Sequence, residues 1–116
     1  MSRDSTGKLW VAYFTSISGD IYVAYSTDGG LTWTEELVAA TTNSSRGPIV
    51  LIDSTDVPHI LWHDDQGVND LIRYSNRTGG SWAAATTVYT YVGANGGVIR
   101  ACIDSLNDIH LAIRTN

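Results

Sequence analysis

The chain has almost no cysteine, proline or methionine, and no block of basic charge. Its one cysteine, Cys102, has no partner within the chain, so no disulfide framework holds the fold. Lys and Arg number 7 against 12 Asp and Glu, giving a net charge of −5. No Lys/Arg cluster exists, which excludes nucleic acid as a partner, since phosphate binding needs a basic patch. No apolar run approaches the roughly 20 residues of a transmembrane helix, so no membrane partner is expected. Met1-Ser2-Arg3-Asp4 leads straight into a strand pattern without a signal-peptide profile, which leaves the compartment open. Helix formers are sparse too. What is abundant is Gly, Thr, Ser, Val, Ile, Tyr and Trp, the composition of strands and tight turns.

The chain repeats itself. Shifted by 49 positions, the spacing from Asp4 to Asp53, the segment from Asp4 to Trp33 overlays Asp53 to Trp82 without a gap. Asp4-Ser5-Thr6 falls on Asp53-Ser54-Thr55, Tyr25-Ser26 on Tyr74-Ser75, and Trp33 on Trp82. A third copy begins at Asp104-Ser105 and runs through His110-Leu111-Ala112-Ile113. Four strand types recur within the period. Residues 48–53 and 98–103 form the first type, and 10–14, 59–63 and 110–113 the second. Residues 21–26 and 71–75 form the third, and 32–39 and 81–89 the fourth.

The stretch Ser26-Thr27-Asp28-Gly29-Gly30-Leu31-Thr32-Trp33 has the form Ser-x-Asp-x-Gly-x-Thr-Trp. It resembles the Asp-box of BNR-type repeats in sialidase-like β-propellers. A degenerate copy, Ser75 to Trp82, keeps Ser75, Gly79 and Trp82, has Ser81 for the Thr, and has Arg77 for the Asp. The resemblance implies an all-β fold of β-propeller blades, each a four-stranded antiparallel sheet. The box then lies in the turn between third and fourth strands, and is structural. Asp28 accepts turn amides, Gly30 supplies backbone freedom, and Trp33 and Trp82 pack between neighbouring blades.

Laid out this way, residues 4–47 form a first blade lacking its inner strand, since only Met1 to Arg3 precede it. Residues 48–97 form a complete blade, and 98–116 the inner two strands of another. Two blades and a fragment do not close a propeller. Two readings stand: a cyclic homo-oligomer, or a piece of a larger propeller. Three chains giving six blades match the sialidase-like count, and two or four chains remain alternatives.

Candidate site residues gather in the loops. Arg46, Tyr91 and Asn95 are the larger groups in the connections between successive periods. His63, Asp64 and Asp65, with Asn69, form the most polar constellation. It suits a sugar's hydroxyls or a cation, with Trp62 as a neighbouring ring, or else it is a solvated acidic turn. Adjacent Asp residues on a strand point to opposite faces, which counts against a shared metal, and no metal site or cofactor is assigned. His59 and His110 recur at one repeat position, occupied by Trp10 in the first copy, and read as a structural slot. Arg100 interrupts an apolar strand and either holds an anion or pairs with an internal Asp. Cys102 reads as a small buried apolar residue.

A sialidase-like activity would need an arginine cluster and a Tyr with a carboxylate partner. Arg46-Gly47-Pro48 is a faint echo of the first, and no Tyr/Glu pair can be placed. The expected function is therefore a non-catalytic module binding carbohydrate or another surface ligand. A purely structural or assembly role is the alternative.

Overall fold

The computed structural model describes residues 1–41, 44–92 and 98–114. The chain is all-β. A four-stranded antiparallel sheet comprises β1 (Ser2–Arg3), β2 (Leu9–Phe14), β3 (Ile21–Ser26) and β4 (Thr34–Ala39), in that order. A second comprises β5 (Ser44–Ile52), β6 (Pro58–Asp65), β7 (Asn69–Asn76) and β8 (Thr86–Val92). β9 (Ile99–Ile103) and β10 (Ile109–Ile113) pair as a two-stranded ribbon. Ser2 and Arg3, expected only as a lead-in, thus pair with Trp10 and Leu9 as a short edge strand. The first sheet has four strands, not three.

The turns joining the first and second strands explain why the repeat begins where it does. Asp4 Oδ1 accepts the amides of Thr6 and Lys8, Asp53 Oδ1 those of Thr55 and Val57, and Asp104 Oδ1 those of Leu106 and Asp108. The second carboxylate oxygen of each takes a ring nitrogen six residues on: Trp10 Nε1 at 3.1 Å, His59 Nε2 at 3.1 Å and His110 Nε2 at 2.8 Å. The recurring His is therefore a structural slot, filled by whichever ring can reach the turn Asp. Each turn also needs a left-handed residue, supplied by Gly7, Asp56 and Asn107 at φ 91, 63 and 69. Asp56 and Asn107 then reach back to the preceding turn. Asp56 accepts Ser5 N at 2.8 Å, and Asn107 Oδ1 accepts Ser54 N at 2.9 Å.

Alternation along the strands decides how the sheets stack. Trp10, Ala12, Val23 and Tyr25 on one face of the first sheet meet Val50, Ile60 and Trp62 of the second. Leu61, Ile72 and Tyr74 on the opposite face of the second sheet meet Ile99, Ala101 and Leu111 of the ribbon. β6 is thus covered on both sides, which is why Ile60-Leu61-Trp62 reads as a continuous apolar run without polar alternation. Fully buried side chains such as Ile60 and Ile72 each contribute about 1.5–3 kcal/mol relative to exposure.

The Ser26–Trp33 turn is locked by its own side chains. Asp28 Oδ1 accepts Ser26 Oγ at 2.7 Å and Thr32 N at 2.9 Å, and Ser26 Oγ accepts Gly30 N at 2.8 Å. Gly30 sits at φ 96 against the Trp33 ring, whose Nε1 donates to its carbonyl at 3.0 Å. Trp33 is 42% exposed in the single chain, on the face of the first sheet that carries Leu9. Trp82 packs against the core between the first two sheets, and its Nε1 donates to Glu36 Oε2 at 3.0 Å.

Sheet registers depart from the repeat on both sides of β7, where β8 pairs Tyr74 with Thr86 although the repeat of Tyr25–Thr34 would give Ala83. In the first sheet Phe14 lies opposite Ile21, but in the second His63 lies opposite Ile72 rather than Asp70. β7 has slipped by two residues against β6, so the hairpin extends to an Asp65–Asp70 pair. The fourth strand begins at Thr86 rather than near Ser81 and ends at Val92. Asp64, Asp65, Asn69 and Tyr91, expected in loops, therefore all lie in strands.

Candidate functional site

The register of the second sheet lays two rows of side chains across its loop end, on the face toward the ribbon. Ser44, Asp65, Asp70 and Tyr91 form one row, and Arg46, His63, Ile72 and Tyr89 the next. Two carboxylates directly opposite each other, Asp65 and Asp70, would repel. The Arg46 guanidinium and the His63 ring stand against them. Arg46 Nη2 pairs with Asp65 Oδ2, and His63 Nε2 stands 3.2 Å from Asp70 Oδ2. Arg46 Nε donates to His63 Nδ1 at 3.4 Å, which assigns the remaining ring proton to Nε2. Nε2 is 2.7 Å from Tyr91 Oη, and the two rings lie 6.0 Å apart.

Burial is graded from the outside in. Arg46 is 43% and Asp65 25% exposed at the side chain, His63 1%, and Asp70 fully enclosed. Neither Asp70 oxygen makes a hydrogen bond among the described residues, so the close approach of His63 is a contact without bond geometry. A buried, unbonded carboxylate costs stability and is uncommon in a packed fold.

Arg46 separates two clefts. One of about 610 Å³ lies between the loops after β2 and β6, lined by Phe14, Thr15, Ile17, Ser45, Arg46 and Asp65. The other, of about 310 Å³, lies between the second sheet and the ribbon, lined by Arg46, Pro48, His63, Val98, Ile99 and Arg100. Each offers a guanidinium beside carboxylate or imidazole groups and an apolar wall, a mixture suited to a polar ligand with one apolar face.

The predicted residues divide as follows. Arg46, His63, Asp65 and Tyr91 come together. Asp64 turns to the opposite face, where Ser45 Oγ donates to its Oδ1 at 3.3 Å. A cation shared by His63, Asp64 and Asp65 is ruled out by this divergence, and no three His, Cys, Asp or Glu side chains converge as a ligand set among the described residues. Asn69 is exposed at the start of β7 and stands outside the cluster. Asn95 lies outside the described residues. Arg100 is exposed, donates to the Ile99 carbonyl at 2.9 Å, and makes no salt bridge among the described residues. Cys102, on the same outward face of the ribbon, is exposed rather than buried. Trp62 is 1% exposed in the core, so its ring face is not offered to a ligand.

Asp70 is the residue that sequence reasoning missed. Its signal was present: the gapless overlay places it on Ile21, an apolar position, and such an exchange marks a polar group that packing does not require. A Tyr/Glu pair was missed as well. Tyr13 Oη donates to Glu35 Oε1 at 2.7 Å on the first sheet. Burial and the bond to Glu35 push the Tyr13 phenol up to about 12, which keeps it protonated and poorly nucleophilic near neutral pH. Comparison of the chain with protein-family models, curated proteins and solved structures gives no match.

Proposed function

We propose that the chain is a non-catalytic binding module, its sheets acting as blades of a β-propeller completed by further copies of itself. Its ligand end is the Arg46–His63–Asp65–Tyr91 cluster, and carbohydrate is the ligand class. The observation that carries the binding role is the polar cluster with enclosed Asp70, sited between two clefts where core packing alone asks for nothing ionisable. Hydroxyl groups suit it, because each donates and accepts and so matches a guanidinium beside a carboxylate.

Assembly is supported by the uncovered faces. Val11 and Tyr13 correspond by the repeat to Ile60 and Trp62, which lie in the core beneath the first sheet. Among the described residues no sheet lies on their own face, and Leu37 beside them is 47% exposed. The outward face of the ribbon, with Arg100 and His110, is the counterpart of the face that Trp10 and Ala12 present to the second sheet. Head-to-tail contact between these two unlike faces is a heterologous interface that can close a ring. Three chains with six blades is the closure we favour.

Native mass spectrometry tests the assembly, with a trimer expected; a stable monomer at micromolar concentration rejects it. A glycan array followed by calorimetry tests the ligand, with Arg46→Ala expected to weaken binding tenfold or more, about 1.5–3 kcal/mol for a charge-assisted hydrogen bond. Retention of no glycan by the wild-type chain would reject the carbohydrate reading and favour a purely structural role.

A further inference from the structure

On the opposite face of β6 a separate cleft of about 240 Å³ opens between the first two sheets, lined by Thr41, Trp62, Asp64, Gln66 and Arg73 with small alanine side chains. Two observations single it out. Trp62 is 1% exposed, and its Nε1–H is enclosed with no acceptor among the described residues. In the first sheet the equivalent Tyr13 satisfies its polar tip on Glu35, so the fold has a way of pairing this position that the second sheet does not use. Among the described residues Asp64, itself 7% exposed, accepts only a long bond of 3.3 Å from Ser45 Oγ. Arg73 lies opposite Trp62 in the register and spends two of its donors on Thr87 Oγ1 and the Ala85 carbonyl.

Nearly all buried indole N–H groups in folded proteins have acceptors, so Trp62 Nε1–H stands beside the cleft as an unused donor. The lining selects the chemistry of an occupant. A cation is disfavoured by the Arg73 guanidinium and the donor-only indole N–H among the lining groups. An anion is disfavoured by the enclosed Asp64 carboxylate. A hydroxyl group meets both demands, since its oxygen accepts from Trp62 and a neighbouring hydroxyl donates to Asp64. The volume holds about eight waters at ~30 Å³ each, or one six-membered sugar ring with a few waters.

We propose that this cleft is a binding site for a single neutral polyhydroxylated ring, a pyranose or a cyclitol, held by the Trp62 indole N–H and the Asp64 carboxylate. It lies on the other face of β6 from the Arg46 cluster and does not depend on assembly or on ligand binding there.

The test follows the indole N–H cross-peaks in ¹⁵N-correlation spectra of the full chain during titration with glucose, galactose, N-acetylglucosamine and myo-inositol. Trp62→Phe identifies the relevant peak by its loss. At least one probe is expected to shift that peak saturably in the millimolar range, and Asp64→Asn to weaken the effect by about tenfold. Arg46→Ala is expected to leave it unchanged, which separates this site from the Arg46 cluster. The proposal is overturned if no probe shifts the Trp62 peak saturably, or if Asp64→Asn has no effect on the shift. It is also overturned if a crystal soaked in the best probe shows only water at Nε1. Should Trp62→Phe fail to fold, the peak is assigned instead by its contacts to Arg73 and Asp64, and the Asp64→Asn comparison decides.

Discussion

Arg77 grips Glu36 across the first two sheets, with Nε at 2.7 Å from Oε2 and Nη2 at 2.8 Å from Oε1. Trp82 Nε1 adds a third donor to the same carboxylate. Arg77 occupies the position held by Asp28 in the first copy of the repeat. In the first copy that residue ties down its own turn; in the second it ties one sheet to another. The exchange of Asp for Arg is therefore a change of task from a local to a long-range contact.

Restoring the motif should consequently harm the fold. Arg77→Asp is expected to destabilise the chain by about 2–4 kcal/mol, since it removes a bidentate pair and sets a second carboxylate beside Glu36. Urea unfolding followed by tryptophan fluorescence measures this. A variant as stable as the parent would show that the pair contributes nothing.

Acid stability should carry the signature of Asp53. Burial raises the pKa of this carboxyl, but the bonds from Val57 N, His59 and Thr55 together outweigh it and hold it at about 2, below its ordinary 3.8. A depressed carboxylate contributes stability that is present above its unfolded pKa and lost as pH falls through the folded one. The parent chain is expected to lose about 2 kcal/mol between pH 3.8 and about 2 from this group. Denaturation midpoints over this range should be flatter for Asp53→Asn.

His110 makes the opposite prediction for the ribbon. Its hydrogen bond to Asp104, and then the charge of that carboxylate, raise its pKa above the ordinary 6.5. A raised histidine contributes stability fully present below 6.5 and lost as pH rises through the folded value. Asp104 is lowered by the His110 bond and the Asp108 and Leu106 amides, so its contribution is lost only in acid, below 3.8. Ribbon amide protection is expected to peak between these limits. An NMR titration midpoint for His110 at or below 6.5 would contradict the assignment.

Asp70 should show a trade between stability and binding. Asp70→Leu removes an enclosed carboxylate that makes no hydrogen bond among the described residues and is expected to stabilise the chain by about 1–2 kcal/mol. His63 loses its neighbour, so binding at the Arg46 cluster is expected to weaken in the same variant. Thermal unfolding and calorimetry on one preparation read both effects.

Much of the fold was legible because its determinants are local. Asp4, Asp53 and Asp104 each bond groups no more than six residues away, so the turns repeat wherever the residues repeat. The two-residue slip between β6 and β7 was not legible. An overlay in sequence keeps spacing constant, whereas pairing depends on which side chains the facing sheet will bury; Ile72 takes the place opposite His63 against the ribbon, and Asp70 falls one row nearer the loop end, opposite Asp65. Of the candidate site, Arg46, His63, Asp65 and Tyr91 could be read as polar residues near strand ends. Their convergence could not, because the residues of the row from Ser44 to Tyr91 come from four strands.

By itself, then, the sequence determined the strand-and-turn grammar: the all-β class, the period, the recurring Asp turns and the self-locked Ser26–Trp33 turn. Each rests on hydrogen bonds within a few residues and on alternation along a strand. Tertiary structure alone decided that Arg77 reaches Glu36, which clefts Asp64 and Asp65 line on their two faces, and that Asp70 is enclosed beside His63. Those outcomes turn on which sheet covers which face, a contact between segments tens of residues apart that no local pattern encodes.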